Sequence, residues 1–162
     1  MGHTLKILSE SKLFYIVSII SIFLILSGLS IGQNFHLCTR VIDGDTIVVD
    51  IDGKKEKVRL IGVDTPETTH PQKGVEYFGK EASEFTRKMV EGKKVRLEYD
   101  WQKRDRYGRL LAYVYLPDGT FLNAEIIKQG YGFAYTRYPF KYLDEFKKYE
   151  REARKNNKGL WK

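Results

Sequence analysis

The chain has 162 residues, 42% of them hydrophobic, with 14 glycines and 4 prolines, which is enough apolar side chain for one core and excludes a disordered or collagen-like polymer. Its formal charge is +7, and because the first 32 residues hold only Lys6, Glu10 and Lys12, the excess sits in the remainder; it favours a polyanionic partner, beside the plainer reading of a soluble basic surface. A single cysteine, Cys38, excludes an intrachain disulfide and multi-thiol zinc sites, and the dispersed His3, His36 and His70 offer little to a histidine cluster or a Ser-His-Asp triad, so acid–base chemistry falls to carboxylates.

Leu13–Ile31 carries no charge and follows Lys6 and Lys12. Such a run is long enough to cross a bilayer with its N-terminus in the cytoplasm. Residues 1–32 are therefore read as an N-terminal hydrophobic helix, either an uncleaved membrane anchor or a signal peptide cut near Ser30 or Gly32. Both place residues 33–162 outside the cytoplasm, tethered or secreted.

From Phe35 the pattern alternates. Phe35–Ile42, Thr46–Ile51 and Glu56–Val63 read as strands joined at Asp43-Gly44-Asp45 and Asp52-Gly53, a meander with hairpin turn chemistry. Cys38 falls in the first of them, where a small buried hydrophobe is the expected role. Residues 74–91 switch to helical spacing, with Val75, Phe78, Ala82, Phe85 and Met89 on one face and Gly92 placed to end the helix. Lys93–Tyr99 and Arg109–Leu116 return to strand character around a polar loop. A short helix is expected over Leu122–Gln129 and a final one over Lys141–Lys155, burying Leu143, Phe146 and Ala153. The fold class is α+β, mainly β: a five-stranded OB-type barrel with three helices, in a domain spanning 33–162.

Acidic residues collect at the strand ends. Asp45 lies in the first turn, and Asp64 and Glu67 lie in the loop Val63-Asp64-Thr65-Pro66-Glu67-Thr68. Antiparallel pairing of the second and third strands brings Asp45 and Asp64 together, and two carboxylates with nothing positive between them invite a divalent cation. Oxygen donors without His or Cys favour Ca²⁺ or Mg²⁺; the alternative is turn aspartates that cap backbone amides. Arg59 and Arg109, each read alone, are exposed cations. Read together, a metal between carboxylates, a spare carboxylate and two arginines are what phosphodiester hydrolysis requires.

Three segments, Val41-Ile42-Asp43-Gly44-Asp45-Thr46, Arg59 through Thr68, and Asp105-Arg106-Tyr107-Gly108-Arg109-Leu110-Leu111-Ala112-Tyr113, resemble the signature segments of the staphylococcal nuclease (thermonuclease) family in order and spacing. The resemblance runs from about residue 36 to Trp161 and includes Gly74-Val75-Glu76. It implies an OB-fold, Ca²⁺-dependent endonuclease acting on DNA and RNA, with single-stranded or unpaired regions favoured, leaving 3′-phosphate ends. It implies Asp45, Asp64 and the Thr65 carbonyl as calcium ligands, Glu67 as general base or water-positioning group, and Arg59 and Arg109 as phosphate clamps. Arg106, Tyr107, Tyr135 and Lys73 would hold the substrate. The chain departs from the pattern at Arg106, where lysine is common, and at Arg137, where a second aromatic is expected and Tyr138 stands one place later; base stacking is the property this touches. A non-catalytic OB module or a binder of another polyanion are the rival readings, and a monomer meets every requirement.

Overall fold

The computed structural model describes residues 34–68, 74 and 76–162. Alternation of apolar and polar side chains builds three consecutive antiparallel strands, β1 (Phe35–Asp43), β2 (Thr46–Ile51) and β3 (Lys54–Leu60). The meander is as expected, except that β3 begins two residues earlier and stops at Leu60 instead of Val63. The stop has a steric cause. Gly62 adopts φ +73, and a Cβ there would lie 2.5 Å from the Phe140 ring, so only glycine lets the chain turn under that ring. Val63–Asp64 then forms a separate strand, β4.

The chain next enters helix α1 (Gly79–Val90), crosses the barrel in β5 (Lys94–Glu98) and β6 (Leu110–Tyr115), and continues through α2 (Leu122–Lys128), β7 (Phe133–Ala134) and α3 (Leu143–Lys155) to a 3₁₀ turn at Gly159–Trp161. The barrel closes in the order β1-β2-β3-β6-β5. β1 makes closure possible: its register shifts twice, between Cys38 and Arg40 and between Val41 and Asp43, so it pairs with β2 along most of its length and with β5 at Phe35–Leu37. Irregularities of this kind bend a strand around a barrel corner. β3 and β6 run parallel, which makes the barrel mixed.

The interior is filled by Ile47, Val49, Val58, Leu60, Val95 and Val114, and is sealed by Leu122 and Ile126 of α2 and Phe146 of α3. Cys38 is fully buried, and burial pushes its thiol up to about 11, in keeping with a structural role. The starts of two helices differ from the periodicity, while the helix ends agree to within one residue. α1 begins at Gly79, because Phe78 sits in the left-handed region at φ 67; the expected start at residues 74–75 falls partly outside the described residues. Its deep face is Ala82, Ser83, Thr86 and Val90, with Phe85 and Met89 only half buried. α3 begins at Leu143, which is itself only partly covered. The N-terminal hydrophobic segment lies outside the described residues, and among those described no helix is long and apolar enough to cross a membrane.

Candidate active site

The short ladder between β4 and β7 organises the site. It pairs Val63 with Ala134 and Asp64 with Phe133, and the Tyr135 amide donates to the Gly62 carbonyl at 2.9 Å. Asp64 and Tyr135, far apart in sequence, are thereby brought to the lining of one cleft. β2–β3 pairing supplies the other half, since Thr46 lies opposite Arg59 and Asp45 immediately precedes Thr46.

Arg59 stands between the two aspartates. Its Nη2 is 3.1 Å from Asp45 Oδ2 and 3.2 Å from Asp64 Oδ1, and its Nη1 donates to the carbonyls of Val63 at 2.5 Å and Leu60 at 3.1 Å. The two carboxylates do converge as the strand pairing predicts, but a guanidinium lies between them. Arg59, with a side chain 16% exposed, is consequently not the free surface cation that its position between Val58 and Leu60 suggests. Asp45 is buried, takes the Thr65 amide on Oδ2 at 3.1 Å and takes the Thr46 hydroxyl on Oδ1 at 2.9 Å. Asp64 is half exposed; burial pushes its carboxyl above the usual range, with Arg59 opposing and Asp45 and Glu76 adding to the rise. Thr65 is buried, and its Oγ1 has no hydrogen-bond partner among the described residues.

Glu67 occupies the outer side of this cluster. Its backbone is clamped by Glu76, whose carboxylate accepts from the Glu67 amide at 3.1 Å while its own amide donates to the Glu67 carbonyl at 3.0 Å. Although one side of the residue is open to solvent, burial of the rest, the Asp43 carboxyl beside it and then Asp45 push its carboxyl up to about 7. A carboxyl in that range is matched to accepting a proton at neutral pH.

A cleft of about 520 Å³ opens beside the cluster, lined by Arg59, Asp64, Arg106, Tyr107, Arg109 and Tyr135 among others. Arg109 is fixed by Asp105, whose Oδ2 accepts from Nε at 2.7 Å while Oδ1 accepts the Tyr107 and Arg109 amides at 2.9 Å. Burial works against the Asp105 charge, but these bonds hold its carboxyl below the usual range. Arg109 too is therefore a held cation rather than a free one. Arg106 Nη2 reaches the Tyr107 hydroxyl at 2.5 Å, and Tyr107 itself is 68% exposed. The fold thus gathers Arg59, Asp64, Arg106, Tyr107, Arg109 and Tyr135 around one cleft, with Asp45, Thr65 and Glu67 in the adjoining loop cluster. Lys73 lies outside the described residues.

Two participants escaped the sequence reading. Asp43, read as a turn residue, is buried and accepts from the Thr68 hydroxyl at 3.3 Å, which puts it against Glu67. Asp105 carries its signal in the spacing Asp105-Arg106-Tyr107-Gly108-Arg109, where i and i+4 meet across a tight loop. As for a metal, the described residues contain no group of three or more His, Cys, Asp or Glu side chains arranged to hold one. The expected set has only two carboxylates plus a carbonyl. Arg59 already balances the two carboxylates, so charge repulsion alone does not call for a cation; the all-oxygen donor set, beside a buried Thr65 hydroxyl with no partner among the described residues, fits a hard divalent ion once Arg59 yields its place.

Residues 57–162 match the family model described as staphylococcal nuclease homologue. The chain is 50% identical over 137 residues to a thermonuclease of Staphylococcus hyicus, covering 83% of this chain and 80% of that protein. It is 46% identical over 136 residues to a thermonuclease of Staphylococcus intermedius, with the same coverage of 83% and 80%. A third relative, endonuclease YncB of Bacillus subtilis, is 44% identical over 125 residues, which span 75% of this chain and 59% of that one.

Proposed function

Because the chain belongs to the staphylococcal nuclease family, it is a nuclease, and we propose that it is a Ca²⁺-dependent endonuclease that hydrolyses DNA and RNA to 3′-phosphate ends in the cleft described above. The observation that carries the reading is the meeting of Asp45 and Asp64 at Arg59, with Arg109 on the wall of the same cleft. Neither two acids nor two arginines alone would justify it.

Asp45, Asp64 and the Thr65 carbonyl would hold the cation, which when bound supplies positive charge against the scissile phosphate. Arg59 and Arg109 bind the phosphoryl oxygens and stabilise the charge that grows on them as the bond breaks. Arg109 is pre-aligned by Asp105, so little reorganisation is left to it for the reaction itself; Arg59 stays anchored through Nη1 on the Leu60 and Val63 carbonyls while its Nη2 gives up Asp45 and Asp64 to the cation and turns to the phosphate. Glu67 orients the attacking water and takes its proton. Arg106 and Tyr107 contact a neighbouring phosphate, and Tyr135 packs against a base. Extracytoplasmic placement, by a tethered or cleaved Leu13–Ile31 segment, belongs to the same proposal. Calcium is plentiful there, which suits an oxygen site with a Kd of roughly 10⁻⁴ to 10⁻³ M.

The test is cleavage of single-stranded DNA and RNA with Ca²⁺ and with excess chelator, with the product ends identified. Glu67→Gln is expected to lower turnover by about 10²-fold or more while leaving strand binding in place. Full activity in that variant or in chelator overturns the mechanism, and 5′-phosphate products overturn the assigned polarity.

A further inference from the structure

The cleft continues beyond the arginines and carboxylates that serve the reaction. Past Tyr135 its wall is made by Arg137, Tyr138 and Pro139, with Trp101 from the β5–β6 loop facing them. Trp101 is 70% exposed and Tyr138 55% exposed. A single exposed aromatic needs no explanation. Trp101 differs because its place is fixed. Its amide donates to Asp100 Oδ1 at 2.8 Å and its Nε1 donates to the Pro139 carbonyl at 3.3 Å. The Asp100 carboxylate is in turn tied to the fully buried Tyr113 through its hydroxyl at 2.5 Å, and to the Lys141 amide at 3.0 Å. The indole therefore stands at the end of a bonded chain that starts in the barrel core, yet turns most of its surface to solvent.

Its neighbours share one chemistry. The Tyr138 ring lies 6.2 Å from Tyr135, and the Arg137 guanidinium lies 5.7 Å from the Tyr138 ring. Arg106 and Arg109 occupy another part of the same lining. Flat aromatic faces interleaved with arginines on a groove wall are the arrangement that holds single-stranded nucleic acid, because every base has a π-face and every nucleotide a phosphate. A duplex keeps its base faces stacked and offers none to such a ledge.

We infer that Trp101, with Tyr138 lining the same cleft, forms an additional stacking subsite for a nucleobase of single-stranded substrate, beyond the position at Tyr135, and that Arg137 meets the backbone phosphate there. The inference rests on the nuclease reading and extends it from one nucleotide to a longer strand.

Trp101 reports on its own contact. The only other tryptophan, Trp161, packs against Phe133 and under Arg154 and is not part of the cleft lining, so Trp161→Phe leaves Trp101 as the single tryptophan, read by excitation at the red edge where tyrosine does not absorb. In the full-length Trp161→Phe protein, with chelator to prevent cleavage, titration with an eight-nucleotide thymidine strand is expected to quench Trp101. An abasic strand of equal length should bind without that quench. Trp101→Ala is expected to weaken binding of the thymidine strand roughly 5- to 30-fold, and Trp101→Phe, which keeps a ring and loses the Pro139 bond, should recover most of it. Turnover of a chromogenic mononucleotide diester, too short to reach the indole, should be unchanged in both. Saturable binding by anisotropy with silent Trp101 emission overturns the subsite alone, as does an equal loss of turnover on short and long substrates. Absence of strand binding in chelator overturns it as well, since stacking needs no cation. Absence of cleavage by the wild-type protein with Ca²⁺ overturns the nuclease reading itself.

Discussion

At the scale of single residues, the site depends on charges being held rather than merely present. Asp105 shows this for Arg109: one carboxylate oxygen takes Nε at 2.7 Å and the other takes two backbone amides. Asp105→Asn keeps an acceptor for those amides but turns a donor toward Nε. The guanidinium is then free to swing, and a misplacement of about 1 Å can cost up to 10²-fold in rate. We expect kcat to fall by about 10- to 100-fold with little change in KM or melting temperature; unchanged kcat would remove Asp105 from the mechanism. The acidic residues of the site were legible from the sequence because Asp64, Pro66 and Glu67 crowd a strand end, where they serve no core. Arg59 as counter-ion to both aspartates was not. A linear pattern tells only that its side chain points away from Val58 and Leu60, whereas its partners follow from the Thr46–Arg59 register and the Gly62 turn.

At the scale of elements, α1 acts as the backing of the Glu67 loop. Gly79, its first residue, lies so close to that loop that a Cβ would stand 2.6 Å from the Glu67 carbonyl oxygen and 3.1 Å from that of Pro66. Its φ is not in the left-handed region, so the constraint is proximity alone. Further along, the buried Thr86 hydroxyl donates to the Gly44 carbonyl at 2.6 Å, bracing the turn that carries Asp45. Gly79→Ala is expected to displace Glu67 while the rest of the helix stays in place. Turnover should drop by up to about 10²-fold, with the circular dichroism spectrum and strand binding retained; wild-type kinetics would show that the loop yields at no cost. The sequence placed this helix, since alternating spacings of three and four are a strong signal, but put its start too early and its deep face one step round. Phe78 in a left-handed conformation is invisible to periodicity. It is paired with Tyr131, ring to ring at 5.5 Å, across elements that no local pattern connects.

At the scale of the whole molecule, the five strands and the closed barrel could be read in advance because Asp-Gly turns and a period of two dictate hairpins. The parallel β3–β6 pair and the two-stranded β4–β7 ladder could not, for both join segments remote in sequence. Remote joints are also where charge contributes to stability. Glu56 on β3 is gripped by Arg104 of the β5–β6 loop through two bonds, at 3.0 and 3.2 Å, and by Lys54 at 2.7 Å. The hydrogen bonds from Arg104, then those from Lys54, lower the Glu56 carboxyl from 4.5 to about 2. A carboxyl depressed in the folded state favours folding in full above its unfolded value. The contribution is lost as pH falls from about 4.5 toward 2. The Arg104 side chain is about half exposed, so the effect is small and screened by salt. Thermal melts of the wild type and Glu56→Gln should therefore differ most at neutral pH and low salt. The two curves should draw together as pH drops through that window, and also when salt is raised to 1 M at pH 7. A difference that persists unchanged at pH 3, or in high salt, would show that Glu56 acts through packing of its side chain and not through its charge.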